Sequence, residues 1–117
     1  MITLIFPFRL ISKDNEKISN RQGRFFLSKK FKDWEDKVRV TVAGQYPHKK
    51  LLEGDISLLV TVYFTNKVHS DTTNLFKGLC DALQGAVYIN DRQIKEASIV
   101  VEENFPQDSF QVVIQTL

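Results

Sequence analysis

The 117-residue sequence is poor in the residues that staple or break small folds, with one cysteine (Cys80), three prolines, five glycines and two histidines. A lone cysteine cannot close an intramolecular disulfide, and no Cys/His pairs stand at zinc-ligand spacing, so disulfide scaffolds and structural zinc folds are excluded. This usage fits a reducing, cytoplasmic setting. Long apolar runs are missing too. The stretches Leu58 to Val60 and Ile2 to Phe8, the second broken by Thr3 and Pro7, fall far short of the roughly 18 residues a membrane span needs. No membrane partner is expected. The N-terminal residues lack the basic region and small-residue cleavage site of a signal peptide, and their pattern suits a strand. No tandem repeat, low-complexity tract or linker divides the chain, so residues 1–117 read as one domain.

What is present is ordinary globular material: 43% hydrophobic, 11% aromatic and 26% charged residues. Such a chain folds around its own core. The net charge of +2 hides a strong division, because residues 1–50 carry 12 Lys/Arg against 5 Asp/Glu while residues 51–117 carry 4 against 9. A basic half can attract a polyanion, and an acidic half can hold a divalent cation or serve as a solvated surface.

Residues 2–9 read as a first strand, with Pro7 near its end. The polar segment 11–23 reads as a mobile basic loop. Ser28 suits the N-cap of a helix running to about Val42, because Phe31, Trp34, Val38 and Val42 recur on one face. Residues 56–64 form a continuous β-prone run, expected as a central strand. From Thr73 to Gln84 the positions Leu75, Phe76, Leu79, Cys80 and Leu83 make one helical face, with Asn74, Lys77 and Asp81 on the other and Gly85 as the stop. Strands over 93–102 and 109–116 complete the order β, α, β, α, β, β. The expected fold is α+β: a small domain with a mixed sheet of about four strands and two main helices packed on it.

Two carboxylates fall at element ends in this scheme. Asp71 precedes the second helix, and Asp91 lies in the turn Ile89-Asn90-Asp91-Arg92 after it. Together they suit a hard divalent cation; separately, Asp at a helix entrance is a cap and Asn-Asp is a turn. Both readings stay open on local grounds.

The segment Asp71-Thr72-Thr73-Asn74-Leu75-Phe76-Lys77, continuing through Asp81-Ala82-Leu83 to Asn90-Asp91-Arg92-Gln93-Ile94, resembles the signature of the RusA-type Holliday junction resolvases. That signature is an Asp, then Asp-Asn-Leu-x-Lys, then Asp-Ala-Leu, then an acidic turn before x-Gln-Ile/Val. The stretch from Asn20 to Ser28 also looks like the family's basic loop. The resemblance implies a homodimer that binds four-way or otherwise branched DNA and cuts two opposed strands with Mg²⁺ or Mn²⁺, in recombination and repair. No small-molecule cofactor is implied. By the same resemblance Asp71 and Asp91 match metal-binding, catalytic acids and Lys77 the assisting lysine. Thr73 stands where the family has its second Asp and would act only through water. Asn90 replaces the first acid of the turn, and the family's proline-rich N-terminal motif is reduced to Pro7.

The implied chemistry is hydrolysis of a phosphodiester, with Asp71 and Asp91 on the ion, Lys77 against developing charge, and Asn74 ordering the Asp-bearing loop. Arg21, Arg24, Lys29, Lys30 and Lys32 are the candidates for DNA phosphate contacts. The rival reading is a non-catalytic junction-binding protein in which Thr73 and Asn90 mark a decayed metal site. A third is an interaction domain whose acidic turn is purely structural.

Overall fold

The computed structural model describes residues 1–12, 17–19, 25–27, 29–47 and 50–117. The strands are β1 (Ile2–Phe6), β2 (Lys17–Ser19), β3 (Phe25–Leu27), β4 (Ile56–Tyr63), β5 (Ile94–Glu102) and β6 (Ser109–Thr116). The helices are α1 (Lys29–Gln45) and α2 (Thr72–Leu83), and a single 3₁₀ turn, Asp91–Gln93, precedes β5. Four strands form one sheet in the order β1-β6-β4-β5. The pair β4·β5 is parallel, whereas β1·β6 and β4·β6 are antiparallel. The expected mixed α+β architecture is therefore present.

The parallel pair explains where α2 sits. Two parallel strands need a crossover connection, and α2 with the acidic turn supplies it between β4 and β5. Strand ends and helix ends are thereby gathered along one segment, residues 63–94, which carries both candidate acids.

One face of the sheet is the core side. Leu4 and Phe6, then Phe110, Val112 and Ile114, then Ile56, Leu58, Val60 and Val62 alternate inward and are buried. Against them pack Phe31, Trp34, Val38 and Val42 of α1 and Leu75, Leu79, Cys80 and Leu83 of α2, the two apolar stripes legible in the sequence. Cys80 is a small core residue, and burial, with the nearby Asp91 charge adding to it, pushes its thiol up to about 12. It is inert at neutral pH. The other sheet face leaves Ile5, Leu59 and Val100 exposed.

Boundaries moved where local chemistry dictates. The first strand ends at Phe6 rather than continuing to residue 9, because Pro7 offers no N–H to the ladder. Helix α1 runs on to Gln45 despite its β-branched end, and Pro47 stops it. Gly85 closes α2 at φ +83°, its N–H donating to the Tyr88 carbonyl at 2.7 Å. The segment expected as a loop over 11–23 is corrected in part: β2 pairs antiparallel with β3, Ile18 opposite Phe26. Ile18, Phe25 and Phe26 have the β propensity that a polar loop lacks. The proposed cap Ser28 and the basic residues Arg21 and Arg24 lie outside the described residues. Among the described residues no helix is long and apolar enough to cross a membrane.

Candidate active site

Asp71 occupies the N-cap position of α2, but its side chain makes no capping hydrogen bond. Among the described residues only its backbone carbonyl is engaged, accepting from the Leu75 N–H at 3.0 Å. The carboxylate is thus exposed at the positive end of a helix, where negative charge is favoured. The cap reading considered for this residue is not what the structure contains.

The loop that presents Asp71 is held from several directions. Arg9 donates to the Val68 carbonyl at 2.6 Å and to Asp108 at 3.2 Å, and Asp108 also accepts the Thr65 N–H at 3.0 Å. His69 stacks on Phe64 with ring centroids 4.3 Å apart. Its Nε2 lies 2.6 Å from a Glu103 carboxylate oxygen and its Nδ1 3.0 Å from the Ser70 carbonyl. Both partners are acceptors, so only the doubly protonated ring satisfies both. The Ser70 carbonyl, with the Glu103 hydrogen bond and charge behind it, raises the His69 pKa above its ordinary 6.5, while burial pulls the other way.

A group whose folded pKa is raised stabilises the fold fully below its unfolded pKa, and the contribution is lost as pH rises through the folded value. The stability difference between wild type and Glu103→Gln is therefore expected to be larger at pH 6 than at pH 9. Thermal unfolding of both proteins across that range checks it; a difference independent of pH contradicts the His69–Glu103 ion pair.

Asp91 is placed by different means. Its N–H donates to Gln84 Oε1 at 2.9 Å, and its Oδ1 accepts from the Tyr88 hydroxyl at 2.7 Å. Tyr88 is wholly buried, and its hydroxyl also lies 2.9 Å from the Cys80 carbonyl. One phenolic proton cannot serve both fully. The carboxylate is the stronger acceptor, and the Cys80 carbonyl already accepts the Gln84 N–H at 3.0 Å. Burial, then the bond to Asp91, pushes the Tyr88 pKa up, so it stays a neutral donor.

The turn itself is built by its neighbours. Asn90 Oδ1 accepts the Arg92 N–H at 2.8 Å, completing a capping box with Gln93. Gln93 Oε1 accepts from the N–H groups of Ile89 and Asn90, both at 2.8 Å. Its Nε2 donates to the carbonyls of Leu52 at 2.8 Å and Gly54 at 2.9 Å. The turn reading therefore describes Asn90, while the Asp91 carboxylate accepts from Tyr88. An Asp at position 90 would cap equally well, so Asn90 removes a charge without changing the shape.

Four hydrogen bonds on one side chain make Gln93 the latch between the acidic turn and the segment before β4. Gln93→Ala is expected to lower stability by about 2 kcal/mol, at about 0.5 kcal/mol for each partly solvated bond. It should also depress any activity that depends on Asp91. Urea unfolding with unchanged m-value checks the first effect; an unfolding midpoint equal to wild type contradicts the latch.

Lys77 lies between the two acids on the exposed side of α2, and Thr73 is exposed in its first turn. Thr73 borders β5 near Ala97 and Ser98. Asp71 stands nine residues before Cys80, about 13 Å of helix axis, whereas Tyr88 draws Asp91 back to the level of Cys80. Among the described residues no group of three or more His, Cys, Asp or Glu side chains is placed to hold a metal. The available set is two carboxylates and a hydroxyl: hard oxygen donors of the kind Mg²⁺ takes, often one or two to a site with water completing the shell. No hydrogen bond joins Asn74 to the Asp71 loop among the described residues; Arg9, Asp108, His69 and Glu103 hold it. Lys29, Lys30 and Lys32 are exposed on the first turn of α1.

Sequence reasoning missed Tyr88, Gln84, Gln93 and Arg9. Gln93 and Arg9 bond to groups far along the chain, which no local pattern announces.

A small α+β domain with a βαβ crossover thus presents acids at the entrance and after the exit of its crossover helix. The family model for endodeoxyribonuclease RusA matches residues 7–115, and the chain belongs to the RusA family. A search of the curated proteins finds no match.

Proposed function

We propose that this chain is a metal-dependent, structure-specific endodeoxyribonuclease that resolves four-way DNA junctions by paired, symmetric phosphodiester hydrolysis, acting as a homodimer. The observation that carries the reading is an Asp71 carboxylate left uncapped at a helix N-terminus within a chain of the RusA family. A carboxylate that merely ended a helix would bond the backbone.

In this reading Asp71 and Asp91 supply carboxylates for divalent cations, Mg²⁺ or Mn²⁺, from the two ends of α2, with Thr73 contributing through water. When bound, the ion acidifies water and polarises the phosphoryl oxygen. Tyr88 and Gln84 keep Asp91 oriented, so no reorganisation is needed as charge develops. Lys77 offsets charge building on the phosphate. Lys29, Lys30 and Lys32, with Arg21 and Arg24, bind backbone phosphates, giving affinity that falls steeply with salt. Two copies around a dyad match the two-fold character of the junction, each cutting one strand.

The second reading, a junction binder without cleavage, is favoured by Thr73 and by the missing third acid among the described residues. End-labelled four-way junction incubated with the protein in Mg²⁺, Mn²⁺ or EDTA separates the two: paired nicks that need metal support the nuclease, and a bound but intact junction supports the binder.

A further inference from the structure

Between the end of β1, the start of α1 and the loop before Asp71 lies a pocket of about 320 Å³, lined in part by Arg9, Ser12, Lys30, His69 and Ser70. Among the described residues its charged lining groups are basic. Asp108 and Glu103, the acids that pair with Arg9 and His69, do not line it. Arg9 is fixed by two of its five N–H donors and by its guanidinium carbon 4.7 Å from the centre of the Phe64 ring, leaving three donors. Lys30 belongs to the first turn of α1, whose dipole adds positive potential.

Ser12 supplies the independent observation. It is 2% exposed, and its hydroxyl has no hydrogen-bond partner among the described residues. A buried hydroxyl without a partner carries a cost of about 1 kcal/mol or more, which an acceptor entering from outside would remove. An oxyanion meets that need and the basic lining together. Chloride has one centre; a phosphate can span Ser12, Arg9 and Lys30 at once.

We propose that this pocket binds one backbone phosphate of the DNA strand, adjacent to the one Asp71 serves. The inference rests on the nuclease reading above and adds a seat that sets which phosphodiester reaches Asp71. Ser70 joins the pocket to Asp71 directly in the chain, so a strand anchored here is led past that carboxylate.

The test uses the full-length ¹⁵N-labelled protein titrated with inorganic phosphate against chloride at equal ionic strength, alongside junction binding in EDTA by wild type, Ser12→Ala, Lys30→Gln and a Lys95→Gln control on β5. The expected result is saturable, phosphate-specific amide shifts at Ser12, Lys30 and Ser70. Ser12→Ala should weaken junction binding about tenfold with no loss of thermal stability, because the hydroxyl has no partner to lose. Lys30→Gln should reduce the salt slope by about one; Lys95→Gln should change neither.

Absence of local shifts, or junction affinity unchanged in both Ser12→Ala and Lys30→Gln, overturns the phosphate seat while leaving the nuclease reading intact. Phosphate-specific shifts in a protein that binds no junction leave an anion site but overturn its assignment to DNA and the nuclease reading with it.

Discussion

Thr73→Asp is expected to make the protein a better nuclease, lowering the Mg²⁺ concentration for half-maximal junction cleavage about tenfold or more, since cation affinity follows the number of ligand charges. Position 73 is exposed in the first turn of α2, so the new carboxylate costs no core packing. A negative charge there also gains about 0.5 kcal/mol from the helix N-terminus. Initial cleavage rates against Mg²⁺ concentration measure the effect. Unchanged or higher Mg²⁺ demand would mean that ligand charge at position 73 is not what limits the site.

Asp91→Asn should act in the opposite direction and more strongly. The amide oxygen can still accept from Tyr88, and the backbone N–H still reaches Gln84, so the turn survives while the charge is lost. Cleavage is expected to fall by about 10² to 10³-fold, the scale of removing one pre-positioned electrostatic group, with junction binding and cooperative unfolding retained. A variant that cuts as fast as wild type would remove Asp91 from the site. A variant that fails to unfold cooperatively would show that the carboxylate serves the fold.

The contrast between these two positions shows what the sequence could and could not reveal. The apolar stripe of α2 was legible because Leu75, Leu79, Cys80 and Leu83 obey a local period, and each is buried where that period demands. The alternation of Phe110, Val112 and Ile114 marked β6 for the same reason. Sheet order was not legible, because β6 inserts between β1 and β4 through pairings such as Leu4 with Val112 that no local pattern announces. The hairpin of β2 and β3 was hidden by its three-residue strands inside a polar segment.

The site divides similarly. Asp71, Lys77 and Asp91 could be named from a motif, yet the means of holding Asp91 could not. Tyr88 falls in no periodic pattern, and its hydroxyl matters only because the turn folds back on Cys80. Gln93 reaches 41 residues back to Leu52, and Arg9 reaches 99 residues forward to Asp108. Long-range polar bonds of this kind leave no periodic trace. They decide whether two acids named from the sequence become a rigid pair or a floppy one.

The nuclease reading requires that two carboxylates and a threonine suffice for metal-dependent cutting. Its most direct test is wild-type protein on an end-labelled synthetic four-way junction, sampled over time in Mg²⁺, Mn²⁺ and EDTA. Symmetric nicks in opposed strands that appear with either metal and not in EDTA are the expected result; a junction that is bound yet stays intact in both metals contradicts it.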